Sequence, residues 1–487
     1  MKKVLLIYPR TGIDPDRPHP PHSILTIAGV LERKGYSPVI IDARVEKKIE
    51  EKIKQNIDGA ICVGLSVMTG FQIKHALGIA KYIKELNPNL PLVWGGVHVT
   101  FLPQQSCKNK YIDIAVSGEG DITFAKVVES IDKNKNLKKI PGITYKEKGK
   151  IKTNLGEELI DLDTAPETPW HLIDVKRYLR SEFGTERVLT ILTSRGCPHR
   201  CTFCYNTNFN KRRWRSAKIN RVIKEIKKLR NSYNINGVYL IDDNFFVNRK
   251  RVEEFCKALI KDKIKLGWAT SCRVNYFDKY DDNFLKLLKE SGCKRLFFGV
   301  ESGSPRIIDL IHKDIKIEQV LNTAKKCAKF GIIPEFSFMT GFPTENKKDR
   351  NMTLILIDKI LKVNSSASIG GLFLYTAYPG TPLFDLAIKK GFKTPKSLEG
   401  WMDYSFMTAE KRANWITKSE KKKIKVISFI VRIIFNKELI KKSFKNPFYK
   451  LVLRIFKMDG ELRWKLRIFS VAPEWRLLEW MYNRLSG

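Results

Sequence analysis

Val188-Leu189-Thr190-Ile191-Leu192-Thr193 runs directly into Ser194-Arg195-Gly196-Cys197-Pro198-His199-Arg200-Cys201-Thr202-Phe203-Cys204. The first six residues read as a buried-type strand, apolar and rich in β-branched side chains. The rest is a tight loop with Cys-x3-Cys-x2-Cys spacing. Three thiolates on one loop hold three irons of a [4Fe–4S] cluster and leave the fourth iron without a protein ligand. That open iron can take a small chelating molecule. Zinc sites usually pair two Cys-x2-Cys knuckles, and no second knuckle follows. Nine cysteines, an odd number, argue against a disulfide scaffold and for a reducing compartment.

Downstream of this loop, strands and helices alternate. Strands are expected at 237–241, 266–271, 295–300, 332–339 and 369–374, each followed by a helical stretch. With the strand at 188–193 this makes six βα units ending near residue 392. Such a series predicts a partial (β/α)6 TIM-like barrel with its site at the carboxyl ends of the strands. Those ends carry polar residues: Asp242-Asp243, Cys272-Arg273, Glu301-Ser302-Gly303-Ser304 and Gly341-Phe342-Pro343-Thr344-Glu345. Cys272 is the one cysteine outside the cluster loop that falls at a strand end, either against substrate or as core packing. Ser216 is expected to cap the helix after the cysteine loop. Pro343 and Glu345 read as structural.

Upstream, strands expected at 4–8, 37–42, 59–66, 91–95 and 112–117 alternate with helices at 24–34, 47–56, 71–86 and 122–132. Five βα units predict an N-terminal flavodoxin-like doubly wound domain, whose ligands sit beyond the strand ends. Ser23 is expected to cap the first helix. The loops are Pro20-Pro21-His22-Ser23-Ile24-Leu25, Leu65-Ser66-Val67-Met68-Thr69-Gly70, Gly95-Gly96-Val97-His98-Val99-Thr100 and Gly118-Glu119-Gly120-Asp121. Glycines there let a ligand approach the backbone, and equally serve ordinary turns.

Taken in order, these loops resemble the cobalamin-binding domain at the front of many radical S-adenosylmethionine (SAM) enzymes, over roughly residues 1–135. The cysteine spacing resembles the signature of the radical SAM superfamily. The resemblance implies that SAM chelates the open iron and is cleaved to a 5′-deoxyadenosyl radical that abstracts hydrogen from an unactivated carbon. It implies Cys197, Cys201 and Cys204 as cluster ligands. Phe203, Asp242, Asp243, Arg273, Glu301, Ser302 and Gly341 are implied around SAM. Ser66, Thr69, Gly95, Gly96, His98 and Gly118 are implied around cobalamin. No Asp-x-His-x-x-Gly follows the first strand, so base-off cobalamin without a histidine ligand is expected, or no cobalamin. His98 is either a ligand to the cobalt or a packed structural residue. A flavodoxin or ferredoxin is the expected electron donor.

The expected domains are 1–135, cobalamin-binding-like; 136–185, a small hairpin and linker; 186–400, the partial barrel; and 401–487, a mostly helical, basic and aromatic extension. From Lys418 to Gly487 eighteen Lys and Arg stand against six Asp and Glu, interleaved with aromatics including Phe444, Phe448, Phe456, Trp464, Trp475, Trp480 and Tyr482. Basic aromatic helices suit an anionic membrane surface; they also suit a helical cap packed on the barrel. RNA ranks third, because no RNA-binding module accompanies the charge. The whole chain of 487 residues is globular in composition, 43% hydrophobic and 29% charged, with formal net charge +38. That charge favours polyanions and says nothing of fold. No run is long enough to span a bilayer, and the N-terminus lacks a signal-peptide core. A cytoplasmic protein, peripheral on the inner face of the membrane, is the resulting expectation. The function expected is cobalamin-dependent radical methylation or another transformation of an unactivated carbon on a hydrophobic lipid, isoprenoid or tetrapyrrole-like substrate. A tRNA-modifying radical SAM enzyme and a non-catalytic cobalamin or iron–sulfur sensor are the rivals.

Overall fold

The computed structural model describes residues 2–405, 408–436 and 447–470, without the side chains of 447–453. The chain forms two compact units. The first holds residues 1–268, 378–384 and 394–408, and the second holds 269–377, 385–393 and 409–487.

In the first unit, β1 (Lys3–Tyr8), β2 (Ser37–Asp42), β3 (Ala60–Ser66), β4 (Leu92–Gly95) and β5 (Ile114–Val116) form a parallel sheet in the order β2-β1-β3-β4-β5. This is the flavodoxin-like order. Val4, Leu5, Leu6 and Ile7 are all buried, as a strand covered on both faces requires. The hairpin β6 (Ile143–Glu147) and β7 (Lys150–Asn154) extends the sheet antiparallel beyond β5. Its two turn residues, Lys148 and Gly149, both have positive φ, the type I′ pattern that matches strand twist.

The unit continues with β8 (Arg180–Glu182) antiparallel to β9 (Thr185–Ile191). The two-residue strands β10 (Ser194–Arg195) and β11 (Arg215–Ser216) pair antiparallel. Next, β12 (Gly237–Leu240) lies parallel to β9. The strand β13 (Gly267–Ser271) crosses from one unit into the other. Its Gly267 N–H donates to Asn236 O (3.0 Å) within the first unit. Its continuation, Cys272 N–H, donates to Phe297 O (2.8 Å) within the second.

In the second unit, β14 (Cys293–Glu301), β15 (Ile333–Thr340) and β16 (Ser368–Leu374) run parallel. Phe298 and Phe336 stack across them at 5.4 Å. The helices Ile317–Phe330 and Lys347–Val363 complete the βα repeats, the first ending on left-handed Gly331 and the second opening on an Asn346/Asp349 capping box. The strands of this series are those of a partial (β/α)6 barrel, so the fold class is as the alternation predicts.

The helix Lys418–Ile434 starts at a Thr417/Glu420 capping box and buries Ile424, Ile427, Ile430 and Val431. Behind it, Phe435 O accepts from Ile369 N–H of β16 (3.0 Å). This helix is therefore packed. Among the described residues no helix is long and apolar enough to cross a membrane. Phe444, Trp475, Trp480 and Tyr482 lie outside the described residues.

Two expected caps differ. The first helix starts at His22 behind Pro21, and the Ser23 hydroxyl instead shares a hydrogen bond with that of Ser66 (3.0 Å). Ser216 belongs to β11, and the following helix opens after Lys218. In both places a side-chain hydroxyl has a tertiary partner or a ladder position that local propensity does not register.

Candidate active site

The β10–β11 ladder pinches together the two ends of the cysteine loop. Gly196 sits at the pinch with φ +85°, and a Cβ there would fall 1.9 Å from Arg213 O. Only glycine closes the loop at this point. Gly196 N–H donates to Asp243 (2.8 Å), and Cys204 N–H closes a turn on Cys201 O (3.1 Å). The Asn244 amide donates to Cys197 Sγ (3.6 Å), the kind of bond that tunes a ligating sulfur. Burial pushes the Cys204 thiol up to about 12, with Asp243 and the other two cysteines adding to the rise. Iron binding at this loop must release that proton. Among the described residues no three His, Cys, Asp or Glu side chains are grouped as ligands of one metal ion. A four-iron cluster takes each thiolate on a different iron and does not ask for that convergence. The loop, its glycine and the amide on sulfur fit such a cluster.

Asp242 and Asp243, adjacent in sequence, are placed differently. Asp242 is buried and accepts from Thr193 N–H, Thr193 Oγ1 and Ser194 Oγ, each at 2.6 Å. Its carboxylate is spent on the strand end. Asp243 is exposed beside the cysteine loop, where it also accepts from Tyr205 OH (3.3 Å). Phe203 is partly buried on the loop itself.

Sequence reading missed the ion network at the base of the loop. Arg195 pairs with Glu119 (2.9 Å) and Asp121 (2.7 Å), and Arg215 pairs with Glu119. Burial works to raise the Asp121 pKa, but Arg195 outweighs it and holds the carboxyl below its usual range. The only signal was two arginines flanking the cysteines, and the sequence does not disclose their partners 74 to 96 residues away.

At the strand ends of the N-terminal sheet, Gly96 has φ +99°, and a Cβ there would meet Val67 O at 2.6 Å. At Gly95 the nearest atom to a Cβ is 3.7 Å away, so the protein's own packing does not demand glycine. Gly118, with φ +75°, donates its N–H to Thr100 Oγ1 (2.9 Å), and a Cβ there would meet only Glu157 Oε2 at 4.0 Å. A Cβ at Gly95 or Gly118 would make only ordinary contacts, so crowding by the protein itself does not account for either glycine, and backbone at both can be approached by a ligand. Ser66, the last residue of β3, and Thr69, on the loop after it, stand partly buried nearby.

His98 lies on the short helix Val97–Phe101, where a loop was expected, and is fully buried. Its Nδ1 meets Thr69 Oγ1 at 2.9 Å, and the Trp401 ring lies edge-on at 5.8 Å. Burial lowers the His98 pKa to about 4, so the ring is neutral. The histidine thus fixes Thr69 from below.

The remaining expected positions belong to the second unit. Glu301 ends β14 with φ +70°, and its carboxylate takes the Lys313 ammonium at 2.7 Å. Arg273 donates to Lys313 O and to Asn275 Oδ1 (3.2 Å). Ser302 is buried against Thr353 Oγ1 (3.3 Å). Gly341 has φ +77°; its N–H donates to Glu345 and its carbonyl accepts from Trp415 Nε1 (2.9 Å). Cys272 is buried, and burial pushes its thiol well above the usual range. Lys313 and Trp415 had no local signal in the sequence.

Comparison with known proteins agrees with this geometry. The radical SAM superfamily model matches residues 191–357, and the B12 binding domain model matches residues 13–128. An uncharacterized methyltransferase of Pyrococcus horikoshii is 31% identical over 429 residues, 87% of each chain. The anaerobic magnesium-protoporphyrin IX monomethyl ester cyclase of Synechocystis is 28% identical over 340 residues, 68% of this chain and 66% of that one. The solved structure of the cobalamin-dependent SAM radical enzyme OxsB with aqua-cobalamin superposes with a TM-score of 0.73, covering 99% of this chain and 75% of that one. At 20% identity, that likeness speaks for the fold. This chain therefore belongs to the radical SAM superfamily, among the members with a B12-binding domain, and is a methyltransferase- or cyclase-type enzyme with a [4Fe–4S] cluster, SAM and cobalamin as its cofactors.

Proposed function

We propose that the enzyme methylates, or cyclises through, an unactivated carbon of a hydrophobic small molecule of lipid, isoprenoid or tetrapyrrole type, with electrons from a flavodoxin or ferredoxin. The observation that carries the reading is the glycine-closed cysteine loop with Asp243 presented beside it and Asp242 withdrawn into the strand end. When bound, the three cofactors supply one-electron cleavage of SAM and a methyl carrier.

In this proposal Cys197, Cys201 and Cys204 hold the cluster. Asp243 pairs with the SAM ammonium, and Phe203 packs beside the cofactor. Arg273, Glu301, Ser302 and Gly341, all at strand ends within the second unit, keep the assignment to SAM that the family resemblance implies. Ser66, Thr69, Gly95, Gly96 and Gly118 line the corrinoid, with His98 holding Thr69. The tetrapyrrole substrate named for the Synechocystis relative supports a large apolar substrate here. So does the basic, aromatic C-terminal region, which suits an enzyme that meets its substrate at an anionic membrane surface. Residues 1–135 are assigned to the corrinoid, 136–185 to the connection, 186–400 to SAM chemistry and 401–487 to the extension.

The test is anaerobic incubation of the reconstituted enzyme with SAM, reductant and lipid or tetrapyrrole extracts of a deletion strain. We expect 5′-deoxyadenosine and a new product one CH2 heavier than its precursor, or ring-closed. Turnover of tRNA alone would overturn the substrate class.

A further inference from the structure

The helix Pro447–Leu466 carries Ile455, Met458, Leu462 and Leu466 at spacings of three, four and four residues, one stripe of an α-helix. These four and Ile468 just beyond are between 47% and 70% exposed. No other described segment gathers exposed large apolar side chains in this way. The opposite side is anchored. Trp464 is buried in the second unit, donates Nε1–H to Asp358 (2.6 Å), and meets the Phe435 ring edge-on at 5.0 Å. Arg467 pairs with the same Asp358 and lies over Trp464 at 4.8 Å. The helix is therefore held with its apolar stripe outward, and among the described residues nothing covers it.

Charge decides between occupants. Over residues 454–467 five basic side chains (Arg454, Lys457, Arg463, Lys465, Arg467) stand against Asp459 and Glu461. Both acids are already paired within the helix, with Arg463 (2.9 Å) and Lys457 (3.7 Å). Exposed Arg454 and Lys465 each precede a stripe residue, Ile455 and Leu466. A second copy of the chain would bring another +38 against the same face, which repulsion opposes. An anionic bilayer matches both features: headgroups attract the basic flank, and the stripe sinks to the acyl boundary.

We infer that residues 454–468 are the face by which this enzyme docks on an anionic lipid surface. The inference rests on the hydrophobic-substrate reading for its purpose, while its geometry stands apart from the chemistry. The packed helix Lys418–Ile434 is excluded from that face, since its apolar side chains Ile424, Ile427, Ile430 and Val431 are buried.

The experiment uses the full chain with its cluster reconstituted, sedimented with vesicles of phosphatidylcholine alone or mixed with phosphatidylglycerol, at low and high salt. Wild type should sediment with the mixed vesicles and lose part of that binding in high salt. Met458→Glu/Leu462→Glu should lower the bound fraction at least tenfold. Leu462→Ala should lower it less. All three proteins should keep equal cluster content and equal 5′-deoxyadenosine formation, which separates loss of docking from loss of fold or of the enzymatic reading. Equal sedimentation of wild type and the double variant, or none for either, would overturn the inference. So would a wild-type dimer in light scattering that the double variant dissociates, since the stripe would then belong to a second copy.

Discussion

Asp242 accepts three hydrogen bonds from Thr193 and Ser194, and the Arg251 guanidinium donates to Thr193 Oγ1 (2.9 Å) beside it. Removing the carboxylate leaves several buried donors without an acceptor, each worth about 1–3 kcal/mol. Asp242→Ala should therefore lower unfolding stability by about 2–4 kcal/mol, read by chemical denaturation. Asp243→Asn, at an exposed carboxylate, should change stability by less than about 1 kcal/mol and weaken SAM binding instead, read by equilibrium dialysis. If the two variants exchange these effects, the assignment of roles is wrong. The glycine pair offers a second contrast. Gly96→Ala puts a Cβ against Val67 O at positive φ and should cost about 1–3 kcal/mol. Gly95→Ala has room, so it should fold as wild type and bind less cobalamin, seen as lost corrinoid absorbance after gel filtration. Neither contrast is legible in the sequence, where both are simply doublets. Burial and the direction of a strand end separate them.

At the scale of elements, alternation of apolar strands with amphipathic helices was enough to place both βα series, because each strand is a short buried run between turn signals. Caps were less legible: Ser23 and Ser216 read as caps, yet the helices open at other residues, behind Pro21 and Lys218, and the two serines have a tertiary partner and a ladder position instead. The C-terminal region shows the same limit. Its composition suits a membrane helix and a packed cap equally, and the structure packs the helix Lys418–Ile434 while leaving Ile455, Met458, Leu462 and Leu466 of Pro447–Leu466 exposed. Helix Lys418–Ile434 is the packed one, so Ile430→Ala should cost about 2–5 kcal/mol through cavity formation, whereas Met458→Ala should stay within about 0.5 kcal/mol. Thermal denaturation followed in the second unit distinguishes them. Equal effects would mean that the exposed stripe is packed after all.

For the whole molecule, three histidines held neutral by desolvation, one of them fully buried, set an acid limit. Burial lowers His98 to about 4, His19 to about 4 and His22 to about 3. In the unfolded chain each titrates near 6.5. A depressed folded pKa contributes stability above the unfolded value and loses it as pH falls, because the unfolded chain binds the proton first. Stability should thus fall by about 1.4 kcal/mol per pH unit for each histidine between pH 6.5 and about 4. His98→Gln should flatten that slope, and an unchanged slope would contradict the burial assigned to it. The family, the cofactors and the order of both domains were legible because three cysteines and four strand-end loops are local motifs. The ion network around Arg195 was not, since it joins residues far apart in the chain. The central claim is that Cys197, Cys201 and Cys204 hold one cluster whose open iron takes SAM. Electron paramagnetic resonance of the anaerobically reconstituted, dithionite-reduced enzyme, with and without SAM, tests it most directly. Wild type should show a reduced four-iron signal that shifts when SAM is added, and Cys197→Ala/Cys201→Ala/Cys204→Ala should show none. A triple variant that keeps the signal, or a wild-type spectrum indifferent to SAM, would contradict it.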